Sequence, residues 1–237
     1  MEIVVNHLTR MQQGYFCVAG VDIKTFQHIR PILPGTRLGT NLLARYGGPF
    51  DMAVVVELGK VTPSPQRPEI EDHIFNPSSV RKMNGFSKKQ FWRLLNQMAK
   101  RKLSDIFGNS LEMKGAKSCA VDVGKGEASL GCLLPDSQPK LYLQPREGKP
   151  DQIRIQVNDG CFDLDLGVTD IRLCGQDHVA PNKKVVKNIG GRLTEGEDVI
   201  LSLGLTRPFS TLSGFPQVHW LQVNNIHLGS DPTWQLG

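Results

Sequence analysis

Short apolar runs rich in Val, Ile and Leu recur along the chain, separated by Gly, Pro, Asn and Asp, and this punctuation is the signature of strands joined by turns. The pattern predicts strands over residues 2–8, 14–19, 26–32, 52–58, 118–123, 140–144, 152–158, 161–166, 198–203 and 219–227. The clearest pair alternates strictly. Ile153, Ile155 and Val157 face Phe162, Leu164 and Leu166 across Asn158-Asp159-Gly160, where Asp-Gly accepts the backbone angles of a hairpin turn. One stretch changes period: after Ser87, a candidate N-cap, Phe91, Leu94, Leu95 and Met98 fall on one helical face and predict a helix over 87–107. Ten short strands around one inserted helix make the chain mostly β and suit two partly open barrels. The expected division is 1–115, a first barrel with the helix appended, and 116–237, a second barrel. Leu-Thr-Arg occurs at 8–10 and again at 205–207, too short to define a repeat.

At 237 residues, with 39% hydrophobic and 22% charged, the chain has material for a packed core and lacks the bias of a disordered or fibrous protein. Apolar runs stop far short of the roughly 20 residues that cross a bilayer, and the N-terminus lacks the pattern of a secretory signal. A cytoplasmic protein without membrane contact is expected. Cys17, Cys119, Cys132, Cys161 and Cys174 are odd in number and dispersed, which fits reduced thiols rather than a disulfide framework or a zinc site.

Charge adds the functional clue. Residues 81 to 117 hold ten basic and two acidic side chains, a local charge of +8 within a chain of +5. Such a cluster attracts phosphates by displacing condensed counterions. Two other readings fit the same residues: a solvated helix face, and a docking surface for an acidic protein. Alternation along 26–30 sends Phe26, His28 and Arg30 to one face, either as a platform for bases and phosphates or with Phe26 in the core. In the last strand Leu221 and Val223 point inward, leaving Trp220 for stacking or for packing under a loop.

Little points to catalysis. Asp163 and Asp165 leave the same strand face and could share a divalent ion, as a metal-dependent nuclease requires, yet no metal-site partner follows at the expected spacing. Gly124-Lys125-Gly126 lacks the spacing of a phosphate-binding loop and reads as a turn. No serine sits in a hydrolase elbow. The expectation is a non-enzyme without cofactor or metal.

Four motifs, Cys17-Val-Ala-Gly20, His28-Ile-Arg-Pro-Ile32, Gly204-Leu-Thr-Arg-Pro-Phe209 and His219-Trp-Leu-Gln-Val223, occur in this order, and together they resemble the prokaryotic dual OB-containing domain. In that family an aromatic residue often stands at the position of His28, so this chain departs there. The resemblance implies two tandem OB-like barrels and a nucleic-acid-binding role, often linked to prokaryotic defence against mobile DNA. Combined with the charge pattern, it directs attention to Lys82, Lys88, Lys89, Arg93, Lys100 and Arg101, with Arg30, Arg207 and Trp220 added from the strands, as contacts to nucleic acid, single strands favoured. The competing expectation is a protein-interaction module that serves a larger effector.

Overall fold

The computed structural model describes residues 1–11, 14–210, 214 and 216–235, and each of the ten expected segments contains a strand. The first sheet uses β1 (Glu2–Arg10), β2 (Tyr15–Asp22), β3 (His28–Ile32), β4 (Leu38–Gly39), β5 (Val54–Glu57), β6 (Thr62–Pro63), β7 (Asp72–Ile74) and β8 (Arg81–Gly85). Its order is β6-β7-β3-β2-β1-β5-β8, with β4 paired to β2. Helix α1 (Lys88–Met98) follows, then β9 (Ala99–Lys100), the short α2 (Ser104–Phe107), β10 (Glu112–Met113), β11 (Cys119–Asp122) and β12 (Leu130–Leu133). Strands β13 (Lys140–Gln144), β14 (Gln152–Asn158) and β15 (Asp163–Gly167) form an antiparallel meander. Helix α3 (Lys183–Thr194), β16 (Val199–Leu205) and β17 (Val218–Leu228) complete the second unit, whose main sheet runs β10-β11-β17-β16-β12-β9. No helix among the described residues is long and apolar enough to cross a membrane.

Ser87 caps α1 as its sequence suggests: its Oγ accepts from Gln90 N at 3.3 Å, and the Gln90 side chain accepts from Ser87 N at 2.9 Å. Phe91, Leu94 and Leu95 are buried on the inward face, each burial contributing roughly 1.5–3 kcal/mol. The helix ends at Met98, short of the expected 107, because sheet pairing captures the next residues. Ala99 and Lys100 run parallel to Cys132 and Leu133, and Leu134 N donates to Lys100 O at 2.8 Å. Leu103 N then donates to the buried Asp159 carboxylate at 2.8 Å, starting a fresh turn, α2, whose Ile106 and Phe107 enter the second core. Within the span grouped by sequence with the first barrel, Ala99 and Lys100 pair with the second sheet and Leu103, Ile106, Phe107 and Leu111 pack in its core, while the Ala99 side chain still packs on the first.

Helix α3 has no counterpart among the expected elements. Its Val185, Val186, Gly190 and Gly191 resemble strand and turn residues, but Val186, Ile189 and Leu193 fall on one buried helical face, and Asn182 caps the start by accepting from Val185 N. Gly190 permits close packing on β13, since a Cβ there would stand 3.2 Å from Leu141 O.

The two units share apolar material. Cys132, Ile171 and Ile200 of the second unit join the core built by β1, β2, β5 and α1. Polar groups fix the seam: Asn225 accepts from Leu8 N at 2.7 Å and donates to Leu8 O at 3.1 Å, and Ser202 Oγ donates to Asn6 O at 3.0 Å, where β1 is bulged. The buried Glu71 carboxylate accepts from Ser129 N, Ser129 Oγ and Leu130 N, which ties the segment before β7 to β12.

Candidate nucleic-acid interface

The expected cations separate into two places. Strand β8 is the outer edge of the first sheet and β9 the outer edge of the second, and α1 joins them. Arg81 and Lys82 stand on the first edge, Lys89 and Arg93 on the solvent face of α1, and Lys100, Arg101 and Lys102 on or just past the second edge, all exposed. Among the described residues none of these seven has an ion pair. Lys88 differs, with its ammonium 3.1 Å from Asp231. Farther along, Lys114 meets Glu112 and Asp122, and Lys117 meets Asp163, so the open charge lies between residues 81 and 102. Lysines at sheet edges also discourage edge-to-edge pairing, which is the purely structural use of the same side chains.

Arg30, Arg207 and Trp220 lie elsewhere. Arg30 is 5% exposed, and its Nε donates to Asp72 Oδ1 at 2.5 Å. Arg207, which is half exposed, places Nη2 2.6 Å from Asp72 Oδ2 and Nη1 3.3 Å from Glu69. One carboxylate thus clamps a guanidinium from each unit. The expected Phe26-His28-Arg30 row does not form: Phe26 sits in the turn before β3 with a φ of 57°, exposed, while Ile29 and Arg30 are buried. Trp220 is half-buried, its indole N–H donating to Phe209 O at 3.3 Å and its ring 6.5 Å from the Phe209 ring.

Between the units lies a groove of about 710 Å³. Among the described residues four arginines line it, Arg10, Arg30, Arg37 and Arg207, and no carboxylate does. Arg10, Arg37 and His7 escape a sequence reading because each looks like an ordinary strand or turn residue. A signal was present, however. The first Leu-Thr-Arg tripeptide ends β1 and the second runs out of β16 from its last residue, Leu205, and Thr9, Arg10, Thr206 and Arg207 line this one groove from opposite units.

Behind the groove is a buried polar cluster. His7, His28 and Cys132 hold their ligand atoms within 4.8 Å of one another, a set suited to a thiophilic cation. Most of those atoms already face amide hydrogens: Asn6 Nδ2 lies 3.2 Å from His28 Nε2 and 3.4 Å from Cys132 Sγ. Burial lowers the pKa of His28 to about 4 and of His227 to about 3, lowers that of His7 with help from His28, His227 and Arg30, and raises the Cys132 thiol to about 11. These imidazoles are neutral at physiological pH.

The remaining chemical candidates are occupied. Asp163 pairs with Lys117 at 3.1 Å, and Asp165 accepts from Tyr142 Oη at 2.6 Å and pairs with Arg154 at 3.3 Å. Gly124 and Gly126 take positive φ, with Lys125 paired to Asp122, as a turn requires. All five cysteines are free thiols.

Among solved structures the chain is similar to a murine DNA-binding protein bound with double-stranded DNA, at 11% identity over 96% of each chain, with a TM-score of 0.29 that is too low to establish a shared topology. No curated protein sequence matches it. The sequence profile of the dual OB-containing domain matches residues 1–226, from β1 nearly to the end of β17, and accounts for the two β units as OB-like barrels. The chain belongs to the dual OB-containing domain family.

Proposed function

We propose that this protein binds nucleic acid, preferentially single strands, through electrostatic contacts and without catalysing a reaction on it. The supporting observation is the row of seven exposed cations from Arg81 to Lys102, free of ion pairs among the described residues, on the helix and edge strands that join the two barrels. Opposing carboxylates would cancel the attraction for phosphate, and here they are directed to Lys88, Lys114 and Lys117 instead. Occupation of Asp163 and Asp165 by Lys117, Tyr142 and Arg154 favours binding over nuclease chemistry. A cytoplasmic role in prokaryotic defence against mobile DNA rests on the family resemblance.

A fluorescence titration of single-stranded DNA at several salt concentrations tests this reading. With six or seven phosphates engaged, log K should fall against log salt with a slope of about −4 to −5. A Lys89→Glu, Arg93→Glu, Arg101→Glu variant should weaken binding to unrelated sequences alike, because phosphate contacts convey no base identity. A flat salt response, or unchanged affinity in the variant, would overturn the proposal.

A further inference from the structure

The inter-barrel groove contains an arrangement that the surface cations do not explain. Three buried side-chain nitrogens on its lining residues have no hydrogen-bond partner: Arg10 Nε, Arg30 Nη2 and His7 Nε2. Unsatisfied buried donors are costly, and three gathered from β1 and β3 around one groove call for a ligand rich in acceptors.

Neighbouring contacts settle what each nitrogen offers. Asp72 accepts from Arg30 Nε through one oxygen and from Arg207 through the other, and Arg30 Nη2 is left without a partner. Asn224 Oδ1 accepts from Gln222 Nε2 at 3.1 Å and faces Thr169 Oγ1 at 3.4 Å, which turns its Nδ2 toward His7 Nδ1 at 3.1 Å. His7 Nδ1 is then an acceptor, and the ring proton sits on Nε2, a donor. Two guanidinium groups and one imidazole N–H with spare donors therefore line the same groove, and the exposed Arg37 lines it too. This donor set matches an oxyanion better than a metal ion, which needs lone pairs. Other parts of the wall are apolar, and the 44% exposed Phe209 stands on it beside Trp220. A flat ring attached to the anion would have a stacking surface there.

We propose that the groove between the barrels is a socket for the phosphate ester of a nucleotide, its oxygens held by Arg10, Arg30 and His7 and its base laid against Phe209. The choice of a phosphate over a carboxylate rests on the nucleic-acid reading; the donor geometry does not. The phosphate could come from a free nucleotide or from a strand.

Calorimetric titration of the whole protein with AMP, adenosine and inorganic phosphate tests the socket. AMP should bind at least about tenfold more tightly than adenosine, since charge-assisted hydrogen bonds are lost with the phosphate. Arg10→Gln should weaken AMP by about tenfold or more, and the exposed Arg37→Gln by a smaller factor, at unchanged urea midpoints. Phe209→Ala should weaken AMP and leave inorganic phosphate unaffected. Competition with oligo(dT) identifies the source: displacement of AMP by the strand points to a strand phosphate, and undiminished AMP binding to a free nucleotide. The Lys89→Glu, Arg93→Glu, Arg101→Glu variant should keep its AMP affinity. Loss of strand binding in that variant alone, with AMP never bound, would overturn the socket and leave the surface proposal standing. Equal affinity for AMP and adenosine, or indifference of AMP to both arginine substitutions, would also overturn it.

Discussion

Acidification should destabilise this protein through its buried imidazoles. His227 is fully buried between Ser202 Oγ, at 2.9 Å from Nε2, and Pro232 O, at 3.3 Å from Nδ1, with Phe91 packed edge-on. Burial, with Arg172 nearby, holds its pKa at about 3, against 6.5 when unfolded. A histidine whose folded pKa is depressed contributes stability above its unfolded pKa and loses it as pH falls toward the folded value. Between pH 7.5 and 5 His227 should therefore cost about 2 kcal/mol. His28, at about 4, should cost somewhat less because it retains some exposure to solvent, and His7 works in the same direction. The total, about 3–4 kcal/mol or more, is a large part of a typical domain's 5–15 kcal/mol. Glu71, whose pKa burial raises, opposes this trend, so the comparison is best made between variants. Urea unfolding followed by tryptophan fluorescence at pH 7.5, 6 and 5 would measure it. His227→Gln should be less stable than wild type at pH 7.5, yet lose about 2 kcal/mol less on acidification. Parallel curves for the two proteins would refute the reasoning.

Three other outcomes are expected. Asp72→Asn leaves the buried Arg30 guanidinium without its anion and should destabilise by about 3–5 kcal/mol in urea; a change under 1 kcal/mol would dismiss the clamp. Gly131→Ala would place a Cβ 2.2 Å from Ile106 Cγ2, forcing α2 off the second sheet at about 1–3 kcal/mol, readable as a lowered Tm. Native protein should present one quickly titrated thiol to Ellman's reagent, Cys161, because Cys119, Cys132 and Cys174 are buried with pKa values pushed to about 11 and burial also raises the pKa of the half-buried Cys17; rapid labelling that survives Cys161→Ser would contradict this.

Legibility in the sequence followed the range of the interactions. The hairpin at Asn158-Asp159-Gly160 could be read locally because the turn is self-sufficient: Gly160 takes a φ of 84°, and Asp159 accepts from Cys161 N and Phe162 N. The Ser87 cap and the Phe91, Leu94, Leu95 face were equally local. Helix length was not, since Ala99 and Lys100 leave the helix to pair with β12, more than thirty residues distant in sequence. Two-residue strands such as β4, β6 and β10 have no period to detect and exist only through their partners. At the candidate site, clustering in sequence exposed the surface cations, whereas Arg10, Arg30 and His7 become a group only when β1 and β3 are placed beside the second barrel.

The polar seam explains why that group stays open. An apolar joint between the barrels would spare the desolvation of Asn6, His7, Asn224, Asn225 and Glu71, all buried here. It would also let the barrels slide, because apolar contacts are weakly directional. Paired hydrogen bonds between Asn225 and Leu8, those that Glu71 accepts from Ser129 and Leu130, and those that Asp72 accepts from Arg30 and Arg207 fix the separation of the two walls instead. The carboxylates at the seam are consumed in this fastening, behind the groove rather than on its wall. Arg30 Nε stays fastened to Asp72, while Arg10 Nε, Arg30 Nη2 and His7 Nε2 keep no internal acceptor, and donors held in place without one are the preorganisation that recognition of an incoming phosphate requires.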